Sequence, residues 1–217
     1  MKITKFLKWI SICLFLSSAG NLQAEDLLVK ANQSLDLLSE NVVNDEYSTF
    51  SENEAVDAIA SLSLALNHLS LESQSRLMMR QVRAQAAYQI NQKRILENKT
   101  ISIELAKLAI VDIDIVLDDG DSYKLADLGF IAGQIALYHL KDRQLAFEYW
   151  NTCAELRHIS CMSLVAAEKF SGEYGISMDA KDSLLWHARI VETGAGNICI
   201  ALESANRLIL MTYFFPE

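Results

Sequence analysis

The sequence predicts an all-α protein, and three of its features support this class. The 217 residues include a single proline, at position 216, and none of the eight glycines lies between Gly20 and Gly120. Because proline and glycine are the residues that interrupt helices most strongly, their scarcity favours long helical segments. Runs of β-branched residues in strict alternation, which would indicate strands, are also missing. With 51% hydrophobic residues, the chain has enough apolar side chains to bury a sizeable core.

Residues 1–24 predict a secretory signal peptide. Three lysines precede an apolar run that begins at Trp9, and small residues follow it up to Ala24. A transmembrane helix needs about 20 apolar residues, and serines and Gly20 interrupt this run first. We therefore expect cleavage after Ala24, a periplasmic or secreted protein, and no stable membrane insertion after cleavage. Without cleavage, the same segment would act as an N-terminal membrane anchor.

The charge balance excludes two classes of partner. Without residues 1–24 the chain carries 16 Lys and Arg against 28 Asp and Glu, a net charge of −12. Binding to nucleic acid or to anionic lipid depends on clusters of basic residues that displace counterions. We therefore expect neither of these partners.

Beyond the signal segment, apolar residues recur with helical spacing, and short connections predict that successive helices form antiparallel hairpins. Ser51 followed by Glu54 has the pattern of a capping box, and Asp179 is placed to cap a helix that starts after it. The segment IVDIDIVL at 110–117 continues a helical pattern that begins at Ile103. We predict helices at 25–43, 52–69, 72–96, 102–118, 122–140, 143–157, 161–172, 180–193 and 197–213.

The predicted helix 122–140 has two faces, and the second face is a candidate binding surface. One face carries small and apolar residues: Leu125, Leu128, Gly129, Ala132, Ile135, Ala136 and His139. The other face carries Asp127, Phe130, Gln134 and Tyr138. Its two aromatic residues indicate either a second buried contact within a stack of hairpins or an aromatic surface for a partner.

A repeat of about 36 residues is visible in the C-terminal half. Leu128-Gly129 recurs as Leu164-Val165, Trp150 recurs as Trp186, and Asp142 recurs as Asp179. A period of this size with two helices per copy is typical of an α-solenoid, in which each hairpin stacks on its neighbours.

These residues resemble the Sel1-like repeat, a relative of the tetratricopeptide repeat. In the stretch 172–189, Gly175-Ile176 corresponds to the Gly-Val of the pattern, and Asp179, Ser183, Trp186 and His187 take the later positions. The preceding copy has Leu128-Gly129, Asp142, Ala146, Tyr149 and Trp150, but it lacks the glycine turn before Asp142. The resemblance covers about 125–210. It implies a superhelix with a signal peptide at 1–24, degenerate tetratricopeptide-like hairpins at 25–121, and Sel1-like repeats with a C-terminal capping helix at 122–217.

Cys153 and Cys161 predict a disulfide. They lie near the end of one predicted helix and in the first turn of the next, and so short a loop brings their Cα atoms within disulfide range. An exported protein also meets an oxidising compartment. Two reduced, buried cysteines are the alternative. The C-x7-C spacing is similar to that of the cysteine-rich secreted branch of the Sel1-like family, where such pairs join adjacent helices. Cys199 remains as an odd cysteine, either buried and inert or paired between molecules.

Catalytic and metal-binding motifs are not found in the sequence. It lacks a phosphate-binding loop, a zinc motif with four ligands, a C-x-x-C pair and the Ser-x-x-Lys signature of penicillin-binding enzymes. The four histidines have no metal-ligand spacing, and the acidic cluster around Asp112 and Asp118 predicts a solvated turn rather than a calcium site. We therefore expect no cofactor, no bound metal and no catalysis.

The sequence as a whole predicts an exported, non-catalytic scaffold or adaptor. Its concave face would bind a protein or peptide partner, with basic residues favoured by the acidic surface. The predicted contact residues are Asp127, Phe130, Gln134 and Tyr138. The alternatives are a periplasmic hydrolase acting on cell-wall or β-lactam substrates and a secreted effector that binds a host protein.

Overall fold

The computed structural model describes residues 21–43, 50–119, 123–172 and 176–193, together with Ser204 and Arg207. Within these residues the chain is all-helical, as the sequence predicts. The described residues leave out residues 1–20 of the predicted signal segment 1–24, most of the predicted helix 197–213, Gly175 and Cys199. In the part that is described, no helix is both long enough and apolar enough to span a bilayer.

The chain divides into two compact units, Met1–Glu97 and Asn98–Glu217, which we call the N-terminal and C-terminal units. The boundary between the units precedes the predicted start of the repeats at residue 122 by one helix. That helix therefore belongs to the C-terminal unit, together with the helices that follow it.

Three helices form the described part of the N-terminal unit: α1 (Asn21–Asn41), α2 (Glu52–His68) and α3 (Ser73–Leu96). Each of them contacts the other two. Their apolar faces meet in a core whose largest fully buried side chains are Leu35, Leu38, Leu62, Met79 and Ile90. The predicted cap of α2 is present, because the Ser51 side chain accepts a hydrogen bond from the Glu54 amide at 3.4 Å.

The C-terminal unit contains α4 (Ile103–Asp119), α5 (Tyr123–Gln134), a π-helical segment (Ile135–Leu140), α6 (Arg143–Glu155), α7 (Ile159–Ser171) and α8 (Ala180–Glu192). Each helix packs on the next one along the chain, and the π-helical segment contacts both α4 and α6. Asp142 caps α6 through the Leu145 amide at 3.0 Å, and the predicted cap Asp179 accepts from the Asp182 amide at 2.9 Å.

The predicted helix 122–140 is helical as expected, but its last turns are π-helical. The amide of Asp142 donates a hydrogen bond to the Ala136 carbonyl at 2.9 Å. This bond ends the π-helical segment, and between its two residues Lys141 adopts the left-handed conformation (φ 60°, ψ 26°). Lys141 stands directly before Asp142, at the position where the predicted repeat pattern would have a glycine turn. The backbone therefore adopts at Lys141 a conformation that glycine usually supplies.

The expectation of a solvated acidic turn is wrong for Asp112, which is fully buried. Asp112 shares the buried face of α4 with Ala106, Ala109 and Val116, at helical spacing. Asp114 on the same helix accepts a hydrogen bond from the Tyr149 hydroxyl of α6 at 2.5 Å. The acidic residues of α4 therefore contribute to helix packing as well as to the surface.

Candidate functional site

The four predicted contact residues form one stripe along α5 and the π-helical segment, which we call the α5 stripe. Asp127 and Tyr138 are open to solvent, with 67% of the Asp127 side chain and 49% of Tyr138 exposed. Phe130 and Gln134 between them are half-buried. Their spacing of three, four and four residues keeps them on one side of the helix, because a helix turns once every 3.6 residues.

The opposite face of α5 fixes this helix against α6. Leu128 and Ala132 are fully buried there, and two glycines let α6 approach closely. A Cβ atom on Gly129 would lie 2.8 Å from Cys153 Cβ, and one on Gly133 would overlap the indole ring of Trp150. The α5 stripe is therefore held on a helix whose position is set by the close approach of these two glycines to Cys153 and Trp150 of α6.

The loop between α6 and α7 is closed by a disulfide between Cys153 and Cys161, whose Cα atoms are 6.0 Å apart. Both cysteines are fully buried. Between them, Arg157 adopts a left-handed conformation (φ 65°), and its amide donates to the Ala154 carbonyl at 2.8 Å. The disulfide predicted from the spacing of the two cysteines is present. It restrains the loop in which His158 lies.

His158 links this loop to the α5 stripe. Its Nδ1 accepts a hydrogen bond from the Cys161 amide at 3.3 Å, which caps the start of α7. On the other side of the ring, Nε2 lies 3.4 Å from Asp127 Oδ1. The ring also stacks on Phe130, with 5.2 Å between the centroids and 25° between the planes. Two of the four stripe residues are thus positioned by one loop side chain.

The electrostatic environment keeps His158 neutral near pH 7. Burial lowers the pKa of its imidazole, and the Asp127 carboxylate opposes that shift. In the neutral ring, acceptance at Nδ1 places the proton on Nε2, where it is donated towards Asp127. Protonation would place a second hydrogen on Nδ1 and remove the cap of α7.

Sequence reasoning missed the role of His158. The one local signal is its position three residues before Cys161 at the start of a helix, which is the N-cap spacing. The preferred N-cap residues are Ser, Thr, Asp and Asn, so a histidine at this position does not predict a helix cap. For the same reason α7 begins at Ile159, two residues before its predicted start.

We call the loop between α6 and α7 the clamped loop, because the Cys153–Cys161 disulfide closes it. Three side chains at this loop are of the types that bind metals. One potential ligand atom from each of Cys153, His158 and Cys161 lies within 4.8 Å of the other two. Within the described residues this is the one group of three or more such side chains. In the disulfide form the two sulfurs are bonded to each other, so the group serves as a covalent clamp.

Two other histidines of the C-terminal unit have packing roles. His139 is buried on the face of the π-helical segment opposite the stripe, and burial lowers its pKa to about 4. His187 is buried on α8, with Nδ1 at 3.1 Å from Ser204 Oγ.

A shallow cleft beside the loop is lined by residues of α6, α7 and α8. Its two acidic and two basic side chains balance in charge: Glu155, Glu192, Arg157 and Arg189. Arg189 forms an exposed ion pair with Glu155 at 3.3 Å, and its Cζ lies 4.4 Å from the centroid of the Trp186 ring.

No protein-family model, no curated protein and no solved structure matches this chain. The functional proposals below therefore depend on the geometry of the C-terminal unit.

Proposed function

We propose that the protein is an exported helical-repeat scaffold whose C-terminal unit binds an extended segment of a protein or peptide along the α5 stripe. The observation that carries this proposal is the pairing of an exposed aromatic and acidic stripe with a clamped loop that holds part of it in place. Asp127, Phe130, Gln134 and Tyr138 supply a charge, two rings and an amide within three turns.

Preorganisation supports this proposal. Ordering rotamer-rich side chains at an interface costs about 0.5–1.5 kcal/mol for each residue. Contacts with His158 hold Asp127 and Phe130 before any partner arrives. Aromatic residues in such positions supply a large contact area at low entropic cost.

The chemistry of the stripe and of the whole chain favours a basic partner. Asp127 leaves two-thirds of its side chain exposed, so its carboxylate can accept hydrogen bonds from an incoming Lys or Arg. The ring of Tyr138 offers a face to the same cation. The net charge of −9, or −12 without residues 1–24, would increase the rate of encounter with such a segment.

The helical repeats and export are parts of the same proposal. Sequential packing of α5, α6, α7 and α8 in a unit with a repeat of 36 residues supports a Sel1-like solenoid with this stripe on its concave face. A disulfide is typical of exported proteins, so the Cys153–Cys161 bond supports a periplasmic or secreted location. We propose a binding role without catalysis.

The experiment begins with selection of binders from a displayed peptide library on the purified chain. Fluorescence polarisation then measures the affinity of the selected peptides. We expect enrichment of peptides with Lys or Arg next to an aromatic or aliphatic residue, and a loss of at least tenfold in affinity when all four stripe residues are changed to alanine.

A matched control changes exposed residues elsewhere in the same unit to alanine: Gln144, Phe170 and Leu185. This variant should bind as the wild type does. Equal affinity of the stripe variant and the wild type, with both folded by circular dichroism, would show that the partner binds elsewhere.

A further inference from the structure

The clamped loop, besides supporting the α5 stripe, brings together three side chains of the types that bind metals. The Sγ atoms of Cys153 and Cys161 and a ring nitrogen of His158 lie within 4.8 Å of one another. We propose that this group binds one copper(I) ion when the disulfide is reduced, so that a metal replaces the covalent clamp.

The ligand set favours copper(I) over harder or higher-coordinate metals. Thiolates are soft ligands that select copper(I), zinc or iron–sulfur clusters, and imidazole binds copper and zinc as well. Zinc is usually four-coordinate, and with two cysteines and one histidine it takes a water molecule as its fourth ligand, which a buried site does not admit. Both cysteines are fully buried and the His158 side chain is only 20% exposed, so the site would exclude the water that a hard cation retains.

The orientation of His158 is the second, independent observation. Metal-binding histidines usually donate their other ring N–H to a carboxylate, which fixes the tautomer and the plane of the ring. Here Nε2 lies 3.4 Å from Asp127 Oδ1, while Nδ1 is directed at the first turn of α7, where Cys161 lies. Stacking on Phe130 fixes the ring further. Asp127 is therefore a positioning residue for the ligand Nδ1.

The helix end also favours a thiolate. Cys161 is the third residue of α7, and the partial positive charge at a helix N-terminus stabilises a thiolate there. Copper binding takes the Nδ1 lone pair, so the Cys161 amide loses its hydrogen-bond acceptor. The negative charge of the adjacent thiolate compensates for part of that loss.

The reaction is balanced by a dithiol reductant. Two electrons and two protons from the dithiol cleave the Cys153–Cys161 bond and leave two thiols, while the dithiol becomes its own disulfide. Copper(I) then displaces both thiol protons and binds two thiolates and neutral His158, with no change in its oxidation state. The loop thus remains closed under conditions that break the covalent bond.

The test uses the full chain with Cys13→Ser and Cys199→Ser, so that Cys153 and Cys161 supply the only thiols. The protein is reduced, freed of reductant without oxygen, and titrated with copper(I) in competition with bicinchoninate. We expect one copper per chain and a thiolate-to-copper absorption band in the ultraviolet. The same protein with its disulfide intact should bind none. Absence of tight binding by the reduced protein would overturn the proposal.

Two variants separate this site from a simple pair of thiols. His158→Asn keeps an N-cap acceptor and removes the imidazole, so the affinity for copper(I) should fall at least tenfold. Asp127→Asn should lower it by about tenfold, the lower end of the effect of outer-shell partners. Undiminished affinity in His158→Asn would overturn the role of the imidazole.

X-ray absorption on the wild-type ligand set gives a readout that does not depend on the variants. We expect two sulfurs and one nitrogen around copper, and two sulfurs alone would contradict the proposal. Zinc(II) in tenfold excess should not displace the copper, and displacement would overturn the assignment of the metal. All of these measurements are made without peptide, so their outcomes stay the same whether or not a peptide binds the α5 stripe.

Discussion

The replacement Gly133→Ala tests most sharply how α5 is held against α6. The added Cβ would overlap Nε1 and Cδ1 of Trp150 and lie 2.9 Å from Cε2. Trp150 is only 3% exposed, so its ring cannot give way without disturbing the core. Overpacking of this kind costs about 1–3 kcal/mol and occasionally more.

Helix propensity alone predicts the opposite sign for this replacement. Alanine is better than glycine inside a helix by about 1 kcal/mol. Since the overlap at Gly133 involves two ring atoms, we expect the upper end of the overpacking cost and a net loss of about 2 kcal/mol or more. Gly129→Ala, with a contact of 2.8 Å to Cys153 Cβ and no ring in its path, should lose about 1 kcal/mol.

Urea unfolding, monitored by tryptophan fluorescence, measures the change in the free energy of unfolding of the C-terminal unit, where Gly133 and Trp150 lie. Beyond residue 24 the tryptophans are Trp150 and Trp186, both in the C-terminal unit. The added replacement Trp150→Leu should make Gly133→Ala less costly, because the smaller side chain relieves the overlap. Stabilisation by about 1 kcal/mol in Gly133→Ala alone, as propensity predicts, would refute this account of the packing.

Three further replacements test the loop, the π-helical segment and its buried histidine. Changing Cys153 and Cys161 to serine should lower the free energy of unfolding by about 2–3 kcal/mol, the chain-entropy value for so short a loop, and an unchanged urea midpoint would contradict a structural role for the disulfide. Lys141→Gly should raise stability by up to about 1 kcal/mol. The left-handed conformation costs a lysine about 1–2 kcal/mol, and part of this gain is offset because glycine loses more conformational entropy on folding. A lower melting temperature of the variant would contradict strain at this position. His139 has its pKa lowered to about 4 in the folded chain, so the unfolded chain binds more protons and stability should fall as the pH drops from about 6.5 towards 4, by at most about 3 kcal/mol. His139→Gln should lessen that fall in urea titrations at pH 7 and pH 4.5, and an identical fall in both proteins would assign it to other groups.

Local signals in the sequence were sufficient to predict the helices of the described residues and the caps Ser51 and Asp179. The scarcity of glycine and proline is a property of the chain itself, and a cap such as Ser51 or Asp179 acts on an amide three residues away. The disulfide was also predictable, because Cys153 and Cys161 are eight residues apart and lie on two helices joined by a short loop. Each of these features depends on short stretches of sequence.

Features that depend on contacts between helices were not predicted. The meeting of His158 with Asp127 and Phe130 joins residues that are about 30 positions apart, and one sequence does not show which loop reaches which helix. The π-helical turns depend on the closure at Lys141, where a lysine adopts a conformation usually taken by glycine. The burial of Asp112 could have been predicted from its place on the apolar face of α4, but an acidic residue in a cluster suggests solvent first.

The most direct test of the central claim is nuclear magnetic resonance of residues 25–217 titrated with a selected basic peptide. The account predicts that the largest amide shifts occur at Asp127, Phe130, Gln134 and Tyr138, with a matching change in the ring signals of His158. Saturable shifts confined to other helices would contradict it.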